Sequence, residues 1–222
     1  FPLALLIYFL IPQQKQSITK VTFKQYISEL ATIIADKGYS LLLYLIAAVT
    51  VLFIQFGVLS FLSDLFELEY KITGLSKALL ISIPILTMVI TAYLTGLYLK
   101  QDSNFFKKTL VSALIMNSLS LITLPFLDGL VLYLLLIALL GISNGVILTV
   151  LNTIISSSTA KSHRGGITAL YGSARFLGIA LGPPVFTLLN QISTFTMFII
   201  PAMISFSLSL LILFFSTKKL YN

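Results

Sequence analysis

Six apolar stretches of membrane-spanning length dominate this chain. They run from Leu41 to Ser63, Ala78 to Leu99, Leu110 to Leu127, Leu130 to Ile155, Ile167 to Leu189 and Phe195 to Phe215. Each is near the ~20 residues a helix needs to cross a hydrocarbon core. The cations between the stretches alternate from loop to loop. Lys15, Lys20, Lys24, Lys37, Lys100, Lys107, Lys108, Lys161, Arg164, Lys218 and Lys219 fall on one side, and only Lys71 and Lys77 on the other. That bias of eleven against two puts the first long loop and the C-terminus in the cytoplasm by the positive-inside rule. The expected fold is an all-α membrane protein, a six-transmembrane-helix bundle spanning the cell membrane.

Composition removes most other classes. A chain that is 58% hydrophobic and 9% charged is outside the soluble-globular range. The formal charge of +7 sits in short loops without a basic stripe or aromatic platform, so nucleic acid is not an expected partner and the bilayer is. There is no Cys and a single His, His163, which leaves no thiolate chemistry and no histidine metal cluster. No His, Cys or carboxylate lies within the spans to activate a nucleophile, so neither an enzyme nor a cofactor or metal is expected.

The chain opens with FPLALLIYFLIP, about half a span, read here as the end of a truncated transmembrane helix over residues 1–12. A cytoplasmic central loop over 13–38 follows, and 39–222 forms the six-helix bundle. Within the loop, Phe23, Ile27, Leu30 and Ile34 recur at helical spacing while Lys24, Glu29 and Asp36 project elsewhere. The pattern fits an amphipathic helix at the interface or a solvated linker. The turns at Asp128 and Gly129 and at 190–194 are short enough to make their flanking helices antiparallel neighbours.

Polar faces within spans point to protein or water, because lipid satisfies neither. In the fourth span Gly141, Gly145, Thr149, Asn152 and Ser156 share one face, with Asn144 at its edge and Ile147, Val150 and Ile154 on the other side. The second span aligns Thr87, Thr91 and Thr95 with Pro84, and the first aligns Gln55 with Tyr44, Ala48 and Leu59. Two readings stand for these stripes: close helix packing with local hydrogen bonds, or the lining of a substrate cavity. The cavity candidates are Gln55, Thr91, Asn144, Thr149, Asn152, Tyr171 and Arg175.

The fifth span is the most specific. Thr168, Tyr171, Arg175, Gly178 and Gly182 fall in one narrow sector, and Gly178 with Gly182 forms a G-x-x-x-G pair suited to close helix contact. Arg175 lies about 12 Å in from Ile167 at ~1.5 Å per residue. No carboxylate lies inside any span, so its partner is a carbonyl or polar group of this bundle, a group elsewhere in the protein, or an anionic part of a substrate. Snorkelling of the guanidinium back to water is the remaining alternative.

The string GSARFLGIALGPP after a short basic loop is similar to the glycine-proline antiporter signature of the major facilitator superfamily, here through Gly178, Gly182 and Pro183. The segment TGLYLKQDSNFFKKTL resembles that family's conserved cytoplasmic loop, with Gly96, Lys107 and Lys108 in matching places and Lys100 where an acid is usual. The chain as a whole resembles the C-terminal half of a twelve-helix bacterial drug-efflux member. The resemblance implies a missing N-terminal six-helix half and a midplane cavity served by spans one, two, four and five. It implies a secondary active transporter working by alternating access, expected to be a proton-coupled antiporter that exports small hydrophobic compounds or drugs. The coupling acid is then expected on the absent half. Metabolite uptake or facilitated diffusion, and a non-transporting membrane scaffold or sensor, remain open as alternatives.

Overall fold

The computed structural model describes residues 23–99, 102–127, 129–157 and 164–215. The expected helix end at 1–12, the turn residue Asp128 and the cations Lys15, Lys20, Lys100, Lys161, Lys218 and Lys219 lie outside the described residues. The described chain forms α1 (Phe23–Leu68), α2 (Gly74–Tyr98), α3 (Ser103–Thr123), α4 (Leu130–Ser157), α5 (Arg164–Ile192) and α6 (Thr194–Phe215), with a 3-10 turn at Leu124–Phe126. Each expected span corresponds to one helix. All six have segments long and apolar enough to cross a membrane, and helical backbone is what lipid demands of a spanning segment.

α1 departs from the sequence expectation. It is one unbroken helix of 46 residues, so the segment expected as a loop is, from Phe23 onward, continuous with the first span. No proline lies between Phe23 and Leu68. A lone Gly38 costs a helix interior only about 1 kcal/mol, too little to end it. The helix ends instead where Lys71 takes a left-handed backbone conformation (φ 56°), and Leu65 and Phe66 carbonyls accept the amides of Glu69, Tyr70 and Ile72. Lys77 and Glu67 form an ion pair across this turn. Asp102 caps α3, its carboxylate accepting the Asn104 amide at 3.1 Å. α5 runs through Pro183 and Pro184, and α6 through Pro201, without a break.

α1 and α4 occupy the middle of the bundle. α5 packs along α1, α2 packs along α4, and α3 and α6 pack on each other and against the central pair. Two apolar layers result. One gathers Tyr44, Val51, Leu114, Ile147, Val150 and Ile154, and the other Ile54, Leu62, Leu121, Ile137, Leu140 and Phe198. The face of α4 opposite its small residues therefore meets apolar neighbours inside the bundle. Near the boundary between the layers lie buried Gln55, Asn117, Ser118, Ser143, Asn144 and Ser205. Ser118 Oγ donates to the Ala202 carbonyl at 2.9 Å and Ser205 Oγ to the Leu114 carbonyl at 3.1 Å. These reciprocal bonds tie α3 to α6 where hydrocarbon offers no hydrogen bonds of its own.

Candidate functional site

Glycines determine how the helices approach. A Cβ on Gly178 would stand 2.3 Å from the Val49 carbonyl oxygen, and one on Gly182 would stand 2.6 Å from that of Phe53. The G-x-x-x-G face of α5 thus presses backbone to backbone on α1, the close contact its spacing predicts. On the other flank, a Cβ on Gly141 would be 2.3 Å from the Pro84 carbonyl oxygen, and one on Gly145 2.5 Å from that of Met88. Pro183 continues α5 just beyond this contact, its carbonyl accepting Thr187 Oγ1 at 3.0 Å.

The threonine candidates belong to the α2–α4 contact. Thr91 packs against Gly145. Thr149 Oγ1 donates within its own helix to the Gly145 carbonyl at 2.9 Å and reaches the Ala92 carbonyl at 3.3 Å. Gln55 and Asn144 are brought together, but inside the bundle: Asn144 Nδ2 donates to Gln55 Oε1, and the two residues are 0% and 4% exposed, Asn144 the lower. Asn117 completes the cluster. Its Nδ2 donates to Asn144 Oδ1 at 2.7 Å and to Ser143 Oγ at 3.1 Å, and Ser143 Oγ donates to the Leu140 carbonyl at 2.8 Å. Because Asn144 spends its amino group on Gln55, its oxygen faces Asn117, which must present an NH2 group in return. The chain of bonds joins α1, α3 and α4, leaving Asn117 Oδ1 buried without a partner.

Sequence reading passed over Asn117 and Ser143. Their signal was available, since an asparagine in the middle of a span needs a partner wherever that span lies.

Tyr171, Arg175 and Asn152 are placed differently. Tyr171 is buried and Arg175 partly buried, with its guanidinium carbon 5.5 Å from the Tyr171 ring centroid. The Tyr171 hydroxyl and Arg175 Nε are both enclosed without a hydrogen-bond partner. Asn152 is exposed on this bundle's surface. α1 and α5 run in parallel register, Gly178 over Val49 and Gly182 over Phe53. At ~1.5 Å per residue, Arg175 therefore lies about 13 Å from Gln55 toward the cation-rich side. Asn152 lies about 12 Å along α4 from Asn144 in the same direction. Both polar groups thus share a depth, outside the layer that Gln55 and Asn144 occupy.

The loop-motif residues sit at the ends of α2 and α3. Gly96 is exposed, and a Cβ there would meet nothing within 4 Å. Lys107 is half-buried and Lys108 exposed in the second turn of α3. Nearby, a crevice of about 270 Å³ opens among α2, α3 and α4, lined by residues including Leu94, Tyr98, Phe105 and Val146. Thr95 and Thr109 also line it, but none of the cavity candidates does. No group of His, Cys, Asp or Glu suited to a metal occurs among the described residues.

The sequence matches the Major Facilitator Superfamily over residues 1–183 and again over 44–220. It is 30% identical over 203 residues to the protein named bacillibactin exporter of Bacillus subtilis (strain 168), an alignment covering 91% of this chain and 50% of that protein. The chain thus spans about half the length of this curated relative. No solved structure matches it.

Proposed function

The chain belongs to the Major Facilitator Superfamily, and from that premise we propose that it forms one six-helix half of a secondary active transporter that exports small, largely apolar compounds by alternating access. A second bundle would complete the machine, and the two would rock about a shared vestibule. The observation that carries this reading is Arg175, a guanidinium about 12 Å inside a span, only partly buried, at the same depth as the exposed Asn152. Intramembrane polar groups that face away from their own bundle are characteristic of a solute pathway. The likeness over 91% of the chain to a protein named as an exporter supports the outward direction.

In this reading Arg175 and Asn152 present polar groups to the vestibule, with Tyr171 supporting the arginine. Gln55, Asn144 and Asn117 hold α1, α3 and α4 together as a rigid unit. Thr91, Thr149, Gly178 and Gly182 maintain the helix contacts that keep the half closed to leakage as it moves. The lysine bias supports a cytoplasmic C-terminus, and the membrane in this reading is the cell membrane. Proton coupling requires a titratable group that changes its exposure, and the six spans carry no carboxylate. That acid therefore belongs to the remainder of the transporter.

The test uses the full-length protein in inside-out vesicles. Uptake of a hydrophobic fluorescent probe should depend on an imposed proton gradient and collapse with a protonophore. Uptake indifferent to the gradient would remove the antiport element and leave facilitated transport.

A further inference from the structure

Arginine stays protonated under all conditions a protein meets, so Arg175 carries a full charge within a span. Such a charge is tolerated in a membrane when it is wet, paired or both. Among the described residues it makes no ion pair. Its contact with the Tyr171 ring at 5.5 Å is a cation–π interaction that offsets only part of the cost of holding it there. The acids of this chain lie outside the six apolar stretches, Glu29 and Asp36 in the part of α1 that precedes its apolar section, and Glu67 is already paired with Lys77. Any counter-charge comes from outside these six spans.

The geometry describes the group that would supply it. Nε is enclosed and Tyr171 braces the guanidinium, while the residue as a whole stays partly exposed. The fork is therefore held from behind, and its outer edge is left to an acceptor. A planar guanidinium fixed in this way suits two-point contact with a carboxylate or sulfonate and loses little freedom on binding. Gly172, one turn away on the same helix, leaves open space beside it, since a Cβ there would meet nothing within 4 Å. Phe176 and Leu177 are exposed on the flanking positions of α5. A bound anion would thus find one charged anchor in largely apolar surroundings, with the Asn152 amide at the same depth.

We propose that Arg175 is the anchor for an anionic group on the cargo, so that amphiphilic organic acids are carried in preference to neutral or cationic hydrophobes. This rests on the transport reading above. Tyr171 is a positioning residue in this scheme, acting through the orientation it gives the arginine.

A matched pair of probes tests the idea in proteoliposomes holding the full-length transporter: 8-anilinonaphthalene-1-sulfonate, an anion, and N-phenyl-1-naphthylamine, its uncharged counterpart. Protein-free liposomes set the baseline. The wild type should transport the sulfonate well above that baseline. Arg175→Gln should lower sulfonate transport by about tenfold or more, the loss of one charge-assisted anchor. The same variant should lower transport of the amine far less than that of the sulfonate. Arg175→Lys, which keeps the charge and loses the fork, should fall between them.

An equal fall for both probes in Arg175→Gln would assign the arginine to gating or to an acid elsewhere in the transporter, and would overturn the proposal. So would undiminished sulfonate transport in that variant, or a wild type that carries only the amine; transport itself would then still stand. Movement of neither probe by the wild type would count against the transport reading and remove this inference with it.

Discussion

Two of the four helices around the central pair, α5 and α2, attach to it by the same device, but with different supports. α5 lies on α1 through Gly178 and Gly182, and α2 receives α4 through Gly141 and Gly145. At the first seam an aromatic side chain fills what remains: Phe186 covers Gly57 and meets Phe53 edge-on at 5.4 Å. At the second the filling is hydroxylic, with Thr87, Thr91 and Thr149 lodged beside the glycines and hydrogen-bonded to backbone carbonyls or packed on them. Lipid supplies no hydrophobic force between helices, so both seams depend on close approach, and each adds whatever bonding its residues allow. The comparison teaches where polarity is spent. The α2–α4 seam and the adjoining Asn117–Asn144–Gln55 cluster turn their polar groups inward, whereas α5 keeps Arg175 partly outside.

The most severe way to break the comparison is a large side chain at either crossing. Gly178→Leu and Gly141→Leu each drive a side chain into backbone 2.3 Å from the new Cβ. Both should abolish the folded, monodisperse species in detergent, as seen by size-exclusion chromatography; if only one does, the seams are not equivalent. Next comes the polar cluster between them. Asn144→Leu strands the Gln55 carbonyl and leaves the Asn117 amino group only its Ser143 partner, and should cost about 1–3 kcal/mol per buried group left unpaired, read as a lowered melting temperature. Adding Gln55→Leu should cost less than the two single effects summed, because the residues share a bond.

Gly57→Ala separates the seams further. Its Cβ would stand nearest the Phe186 ring, at 2.1 Å, so overpacking of about 1–3 kcal/mol is expected. Phe186→Leu in the same chain should recover most of that loss. No side-chain change should rescue Gly141→Ala, whose new methyl meets the Pro84 backbone. The smallest effect belongs to Thr149→Val, which removes hydroxyl bonds to Gly145 and Ala92 carbonyls and should lower stability by about 0.6 kcal/mol, the usual size for such bonds in membranes. A loss of several times that size would mean hydroxyls carry more of the second seam than glycines do.

Much of this is legible in the sequence. Span positions follow from hydropathy because the solvent dictates helix wherever an apolar run is long enough, and the α5 contact follows from Gly178 and Gly182 because small residues at that spacing have little other use in a bundle. The direction of the polar groups was not legible. Asn144 sits at the edge of a small-residue stripe, and a few tens of degrees of helix rotation decide whether it faces a vestibule or, as here, Gln55 and Asn117. Asn117 was overlooked because its helix carries no stripe, although its amide alone demanded a partner. The extent of α1 was hidden for another reason. Polar composition after Gln13 marks the end of lipid contact, and helix does not have to stop there.

That uninterrupted α1 is also a mechanical element. The part preceding Tyr39 projects about 24 Å beyond the apolar section at ~1.5 Å per residue. A stiff rod of that reach converts a change of tilt of roughly ten degrees inside the bilayer into a sweep of about 4 Å at its far tip. Any rearrangement of the embedded helices would be broadcast, enlarged, to whatever meets the far end of α1.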